Sequence, residues 1–371
     1  MFSSCMGCNS TKAALAPIAS KPPVQEDVLE KKGGEKTLPR EKARTVAFAP
    51  ASEKSIPSDL EFDNVAAFEA AYRELRSNID DNGSIDLAEI TKVMQQKKSV
   101  LDLVQKHFPG AGTGKEILAK VAPVIEKYGL DDDNTLFAQS VCPDEINHDE
   151  NDTPALFAEY LGEVFHMGGL AGIPFTGKTG FAAFSHHVPE NGHLFILMAP
   201  HIGLSESNQL GKYTRDGQDH DGSACGAVVG ALNHCCSGKP LPKMADSAED
   251  AQMTYIMHQI KKHQAKIVAK KNESENAMQA MAAKVTHDIG RDMLNAINTM
   301  DFGGKDSQLL LLTGIQINMP KPFDGFFQPI SFQIRNKNGQ MRDLFRETFG
   351  VTRDYQPTKS TRFLKVDNTE V

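Results

Sequence analysis

Continuous apolar runs at 194–199 and 309–312 carry the pattern of strands buried on both faces of a sheet. A shorter run at 136–141 predicts another strand, and two longer strands are predicted at 308–318 and 326–335. Between them the period changes to that of a helix. Ile117, Leu118, Val121 and Ile125 follow one helical face up to the Gly129 stop, and Val228, Val229 and Leu232 follow another from a start near Ser223. Long helices are predicted at about 246–270 and 275–299. Strands alternating with helices predict an α/β fold, a mainly parallel sheet flanked by helices. No internal repeat is visible.

Upstream of this unit, Phe68, Tyr72 and Leu75 trace one helix, and Leu87, Ile90, Val93 and Met94 trace a second. The stretch between them, 78–89, resembles an EF-hand calcium loop. Oxygen ligands would come from Asn78, Asp80, Asn82, the Ser84 backbone, Asp86 and a bidentate Glu89, with Gly83 at the sharp turn. Asn78 stands where that family prefers Asp, and the entering helix places Tyr72 and Leu75 early. A helix-loop-helix with an acidic turn is the competing reading. The segment Asp131-Asp132-Asp133-Asn134 lacks the glycine and terminal glutamate of a second loop.

Composition sets the outer bounds. The 371 residues are 40% hydrophobic and 24% charged, with a net charge of −8, which describes a globular chain. No apolar run is long enough to cross a bilayer. The acidic balance and the lack of a dense Lys/Arg stripe argue against nucleic-acid binding. Residues 1–58 are rich in proline, lysine and glutamate and poor in aromatics, which predicts a disordered leader. It lacks the apolar core of a secretory signal, and its first 22 residues hold no acidic side chain, leaving a transit peptide open. Met6-Gly7-Cys8 would fit an acylation signal only if translation began at Met6, so lipid anchoring is the lesser reading. Six cysteines in this length suit a reducing compartment, cytoplasm or plastid stroma, better than a disulfide scaffold. The expected organisation is leader 1–58, EF-hand-like unit 59–98, α/β domain 109–338, and a C-terminal helix and tail 339–371.

The cysteines are not equivalent. Cys5 and Cys8 lie in the leader, and Cys235 and Cys236 end a predicted helix. Cys142 and Cys225 each sit among Gly, Asp or His rather than in an apolar helical stripe. Cys142 and His201 each follow directly on a predicted strand, at the carboxyl ends where open α/β sheets place their sites. Cys225 falls in the first turn of a predicted helix, whose N-terminal dipole favours a thiolate. Two thiolates and an imidazole suit zinc and leave a fourth tetrahedral position for chemistry. Isolated Cys and His residues also serve as packing, but Gly203, Gly222 and Gly226 beside them permit close backbone approach.

Four motifs extend this pattern: Cys142-Pro143-Asp144-Glu145-Ile146-Asn147, the glycine-rich run 168–181, Ala199-Pro200-His201-Ile202-Gly203, and Ser223-Ala224-Cys225. Together they resemble the limiting-CO2-inducible protein B/C family, whose domain is similar to β-type carbonic anhydrases. The resemblance covers about 113–335. It implies a β-carbonic-anhydrase-like fold, zinc held by Cys142, His201 and Cys225, reversible hydration of CO2 to bicarbonate, and association into a homodimer or larger homo-oligomer. Asp144 matches the aspartate of the β-type Cys-x-Asp-x-Arg motif. In that role it accepts the proton of the zinc hydroxide, or ligates the metal in a resting form.

The chain departs from the motif at Ile146, which stands where arginine should follow. Arg215 is the candidate replacement, and His186, His187 and His220 are candidate proton shuttles. Without its arginine the same fold could serve as a catalytically silent zinc scaffold, and the upstream loop could make it a calcium-responsive regulator. Residues 172–179 also match the phosphate-loop pattern G-x-x-x-x-G-K-T. Gly168 and Gly169 interrupt the strand such a loop needs, so nucleotide hydrolysis is disfavoured. The glycines are expected instead to wall a small apolar pocket.

Overall fold

Strand β4 (His193–Ala199) is buried along almost its whole length, as its unbroken apolar run requires of a strand covered on both faces. The computed structural model describes residues 87–244, 248–298 and 301–350. Around β4 lie β2 (Thr135–Val141), β3 (Val164–His166), β8 (Gln308–Asn318) and β9 (Phe326–Asn336), with the short β1 (Gly112–Thr113) on the edge. The strand order is β1-β9-β8-β4-β2-β3. Strands β3, β2, β4 and β8 run parallel, whereas β9 pairs antiparallel with β8. The sheet is therefore mixed, with its parallel part at the centre. After Pro200 the chain resumes as β5 (His201–Gly203), which continues along β8 with His201 opposite Gln316.

Period-two alternation divides the strand side chains between two layers. Phe137, Phe195, Leu197, Leu310, Leu312 and Phe332 face one way. There they meet α2 (Gly114–Lys127) and α3 (Thr153–Leu161), with Phe157 stacked on Phe195 at 5.3 Å between ring centroids. Ala138, Leu194, Ile196, Met198, Leu309 and Leu311 face the other way, against α4 (Gly177–His186) and the end of α7 (Glu275–Ile297). Helix α2 opens on a reciprocal capping box between Thr113 and Glu116, which satisfies two of its otherwise unpaired amides.

Two helices complete the layer near the carboxyl ends of the strands: α5 (Gly226–Cys236) and α6 (Ala251–Ala269) pack with α7 in one apolar cluster that includes Cys142 and Cys225. Upstream, α1 (Leu87–His107) packs Val100, Leu101 and Val104 against Leu204, Leu210, Ile315 and Met319. The acidic-loop residues Asn78, Asp80, Asn82, Ser84 and Asp86, the leader, and 351–371 lie outside the described residues, as does the side chain of Glu89. The described end of the chain forms β10 (Met341–Asp343) and the short α8 (Phe345–Phe349). Among the described residues no helix is long and apolar enough to cross a membrane.

The strand order places the site. From β2 the chain moves outward to β3, and from β4 it moves to the other side, toward β8. Connections leaving in opposite directions open a crevice at the carboxyl ends of two adjacent strands. Cys142 follows directly on β2 and His201 follows β4, so both stand at that crevice.

Candidate metal centre

Cys142, His201 and Cys225 are brought together there, their ligand atoms all within 4.8 Å of one another. Each residue is almost fully buried. The two sulfurs are 4.0 Å apart, close to the ~3.8 Å that two ~2.3 Å zinc–sulfur bonds subtend at a tetrahedral angle. His201 Nδ1 is bonded to Asn318 Oδ1 at 2.8 Å, while His201 Nε2 is buried with no hydrogen-bond partner. A buried imidazole nitrogen without a partner is costly, and one facing two thiols is a donor that a cation could complete. By spacing, burial and donor chemistry the three residues fit zinc.

Local structure explains how each ligand arrives. Cys225 is the N-cap of α5 rather than part of its first turn. Nearby backbone amides of Ala227 and Val228 still favour its thiolate. Segment 168–176 folds over Cys142, and the left-handed pair Ala171 and Gly172 turns the Ala171 N–H onto Cys142 Sγ at 3.3 Å. The segment thus forms a wall beside Cys142. At Gly172 a Cβ would lie 2.8 Å from the Ala199 carbonyl oxygen.

The two thiols are shifted in opposite directions. Cys142 is drawn down to about 4, first by the hydrogen bond from Cys225 and further by His201, against the effect of burial. Cys225 is pushed up by the same bond and by burial. Burial opposes protonation of His201, but Cys142 and Asn318 raise it overall. A divalent cation held by Cys142, Cys225 and His201 would take the place of these internal bonds, with both sulfurs ionised.

Asp144 lies beside the ligands, its Oδ2 3.9 Å from His201 Nε2. Arg215 reaches it from a hairpin formed by β6 (Lys212–Tyr213) and β7 (Gly222–Ser223), donating to Asp144 Oδ1 at 2.9 Å and to Glu145 Oε1 at 2.6 Å. A Cβ on Gly222 would stand 2.9 Å from that guanidinium, so glycine leaves room for it. Burial raises Asp144, and its bond to Glu145 adds to this, against the pull of His201 and Arg215. Arg215 holds Glu145 down, at about 2. A shallow recess also touches His201 and Cys225, lined mainly by Ile202, Val228, Val229 and Ala283, with Gln279 beside them.

The candidate shuttles are scattered. His220 is exposed and bonded to Asp219, and His186 and His187 end α4 just ahead of β4, at the opposite end of that strand from His201. The sequence reading missed Asn318 and Asn147, which tie the ligand-bearing segments together: Asn318 Nδ2 donates to Ile146 O at 2.7 Å and to Asn147 Oδ1 at 3.2 Å. Glu145 was likewise unforeseen as the second partner of Arg215.

The profile of the family described as limiting CO2-inducible proteins B/C beta carbonic anhydrases matches residues 111–336. Among solved structures, PtLCIB4, a homologue of the limiting CO2-inducible protein LCIB, is 32% identical at a TM-score of 0.57, covering 66% of this chain and 98% of its own. Two point-substituted variants of that protein match at 31% and 30% identity, with TM-scores of 0.58 and 0.53. Each covers 66% of this chain, and 97% and 98% of its own. Comparison with curated proteins gave no match. The fold and site define a β-carbonic-anhydrase-like α/β protein. The chain belongs to the limiting CO2-inducible protein B/C family.

Proposed function

We propose that the chain holds one zinc ion on Cys142, His201 and Cys225 and reversibly hydrates CO2 to bicarbonate. The observation that carries this reading is the convergence of two buried sulfurs on a buried, partnerless imidazole nitrogen, with a carboxylate fixed beside them. When bound, zinc supplies the Lewis acidity that brings the pKa of water into the neutral range. The protein's own groups do the rest. Arg215 engages Asp144 Oδ1 and leaves Oδ2 on the side of His201. Oδ2 takes the proton released as water adds to CO2 and returns it in the reverse direction. Arg215 thereby takes over from the arginine absent at Ile146.

Elemental analysis of the purified protein tests the metal assignment. One zinc per chain is expected, falling severalfold in His201→Ala. Zinc at one per chain with no CO2 hydration above buffer would favour the catalytically silent scaffold.

Calcium modulation is a second reading, favoured by one contact. Helix α1 follows the acidic loop 78–89 directly and packs on Leu204 and Leu210, which flank the segment leading to Arg215. Titration calorimetry with millimolar calcium tests it, and absence of heat would end it. The same proposal keeps 109–338 as the zinc domain and expects a homodimer or larger assembly, read by light scattering.

A further inference from the structure

Asn147 anchors a chain of amide orientations. Its Nδ2 donates to the carbonyl oxygens of Cys142, at 3.4 Å, and Asp144, at 3.2 Å. Both are acceptors only, so the amide nitrogen must lie on that side. Asn147 Oδ1 therefore faces Asn318, whose Nδ2 meets it at 3.2 Å and also meets the Ile146 carbonyl at 2.7 Å. Two acceptors on one side fix the second amide as firmly as the first. Asn318 Oδ1 is left pointing at His201 Nδ1, 2.8 Å away. An oxygen cannot donate there, so Nδ1 carries a proton, and in the neutral ring Nε2 presents its lone pair.

We propose that Asn318 is the positioning residue of this centre. It holds His201 in the tautomer whose Nε2 can bind a cation, and it locks that ring to the loop bearing Cys142 and Asp144. The proposal rests on the zinc reading for its purpose. Its geometry is independent of any ion.

Placement supports the role. Asn318 closes β8, opposite Gly203 in register, and its own carbonyl accepts from the Leu204 N–H at 2.9 Å. It is buried, so water does not compete for these bonds. One side chain thus joins three segments: β8, the strand that starts at His201, and the loop after β2. At Ile146 the family's β-type motif would place an arginine side chain, and here the backbone carbonyl of that same residue is engaged instead.

The test combines nitrogen NMR of the His201 imidazole in metal-free protein with zinc affinity from chelator competition. The parent should show the Nδ1-protonated tautomer. Asn318→Leu should lose that single tautomer and weaken zinc by about 10–100-fold, the range for loss of a partner that orients a ligand. Asn318→Asp should keep the Nδ1–H tautomer, because its carboxylate still accepts from the ring, yet weaken zinc because it cannot donate to Ile146 and Asn147. A neutral parent ring protonated at Nε2 in place of Nδ1 overturns the proposal, as does Asn318→Leu binding zinc like the parent. If Asn318→Leu fails to fold, the parent tautomer and the Asp variant decide the matter. A parent that binds no zinc while showing the Nδ1–H tautomer would sink the zinc reading and leave the orientation of Asn318 standing.

Discussion

Arg215 grips Asp144 Oδ1 at 2.9 Å from a hairpin 71 residues further along the chain. The β-type motif carries its orienting arginine two residues after the aspartate, and here the same contact is delivered by folding. Because Arg215 also bonds Glu145, one rigid guanidinium fork serves two carboxylates, which a lysine cannot reproduce. Arg215→Ala and Arg215→Lys should both lower kcat for CO2 hydration, by about 10–100-fold, the cost of letting a reacting group drift by about 1 Å. Zinc content should stay at the parent's level. Glu145→Gln should matter far less, since Glu145 is exposed. Equal kcat in all three would remove Arg215 from the reaction.

Asp152 governs a different property. It is buried, its Oδ1 accepts from Gln316 Nε2 at 2.8 Å, and its Oδ2 has no hydrogen-bond partner. Burial, then the charges of Asp149 and Asp324, push it up to about 7 from 3.8. The native state thus binds this proton more tightly than the unfolded chain does. Its contribution to stability is full below about pH 4 and is lost as pH rises toward 7. Asp152→Asn should flatten that slope and stabilise the protein at pH 8, by about 4 kcal/mol at most. Denaturant melts of both proteins at pH 5 and pH 8 check this, and parallel pH dependence in the two would refute it.

Gly168 ties the glycine-rich segment to the metal site. A Cβ there would lie 2.2 Å from the Val141 carbonyl oxygen, directly before Cys142. Gly168→Ala should displace that strand end, cost about 1–3 kcal/mol by overpacking, and weaken zinc. Thermal melts and metal analysis read both effects. An unchanged Tm and unchanged zinc would show that the segment yields without strain.

The candidate ligands were legible because each sits where a pattern stops. Cys142 and His201 end continuous apolar runs, and Cys225 opens a helix. Arg215 could be named only as a candidate, because no local periodicity reports which loop residue a hairpin will carry to a distant carboxylate. Asn318 had a fainter signal. Gln316 and Asn318 alternate with Ile315 and Ile317 in an otherwise apolar strand, and buried polar side chains at that spacing share one face. The mixed character of the sheet was also readable in principle. The connection from β8 to β9 spans only 319–325, too short for the crossover of a dozen or more residues that a parallel pair needs. A purely local reading of strands gives no pairing direction.

Stopped-flow measurement of CO2 hydration, on the zinc-loaded parent and on Cys142→Ser at equal concentration, tests the central claim most directly. The account predicts a rate well above buffer for the parent and loss of that rate, together with the zinc, in the variant. A variant that keeps both its zinc and the parent's rate would contradict the assignment of this site.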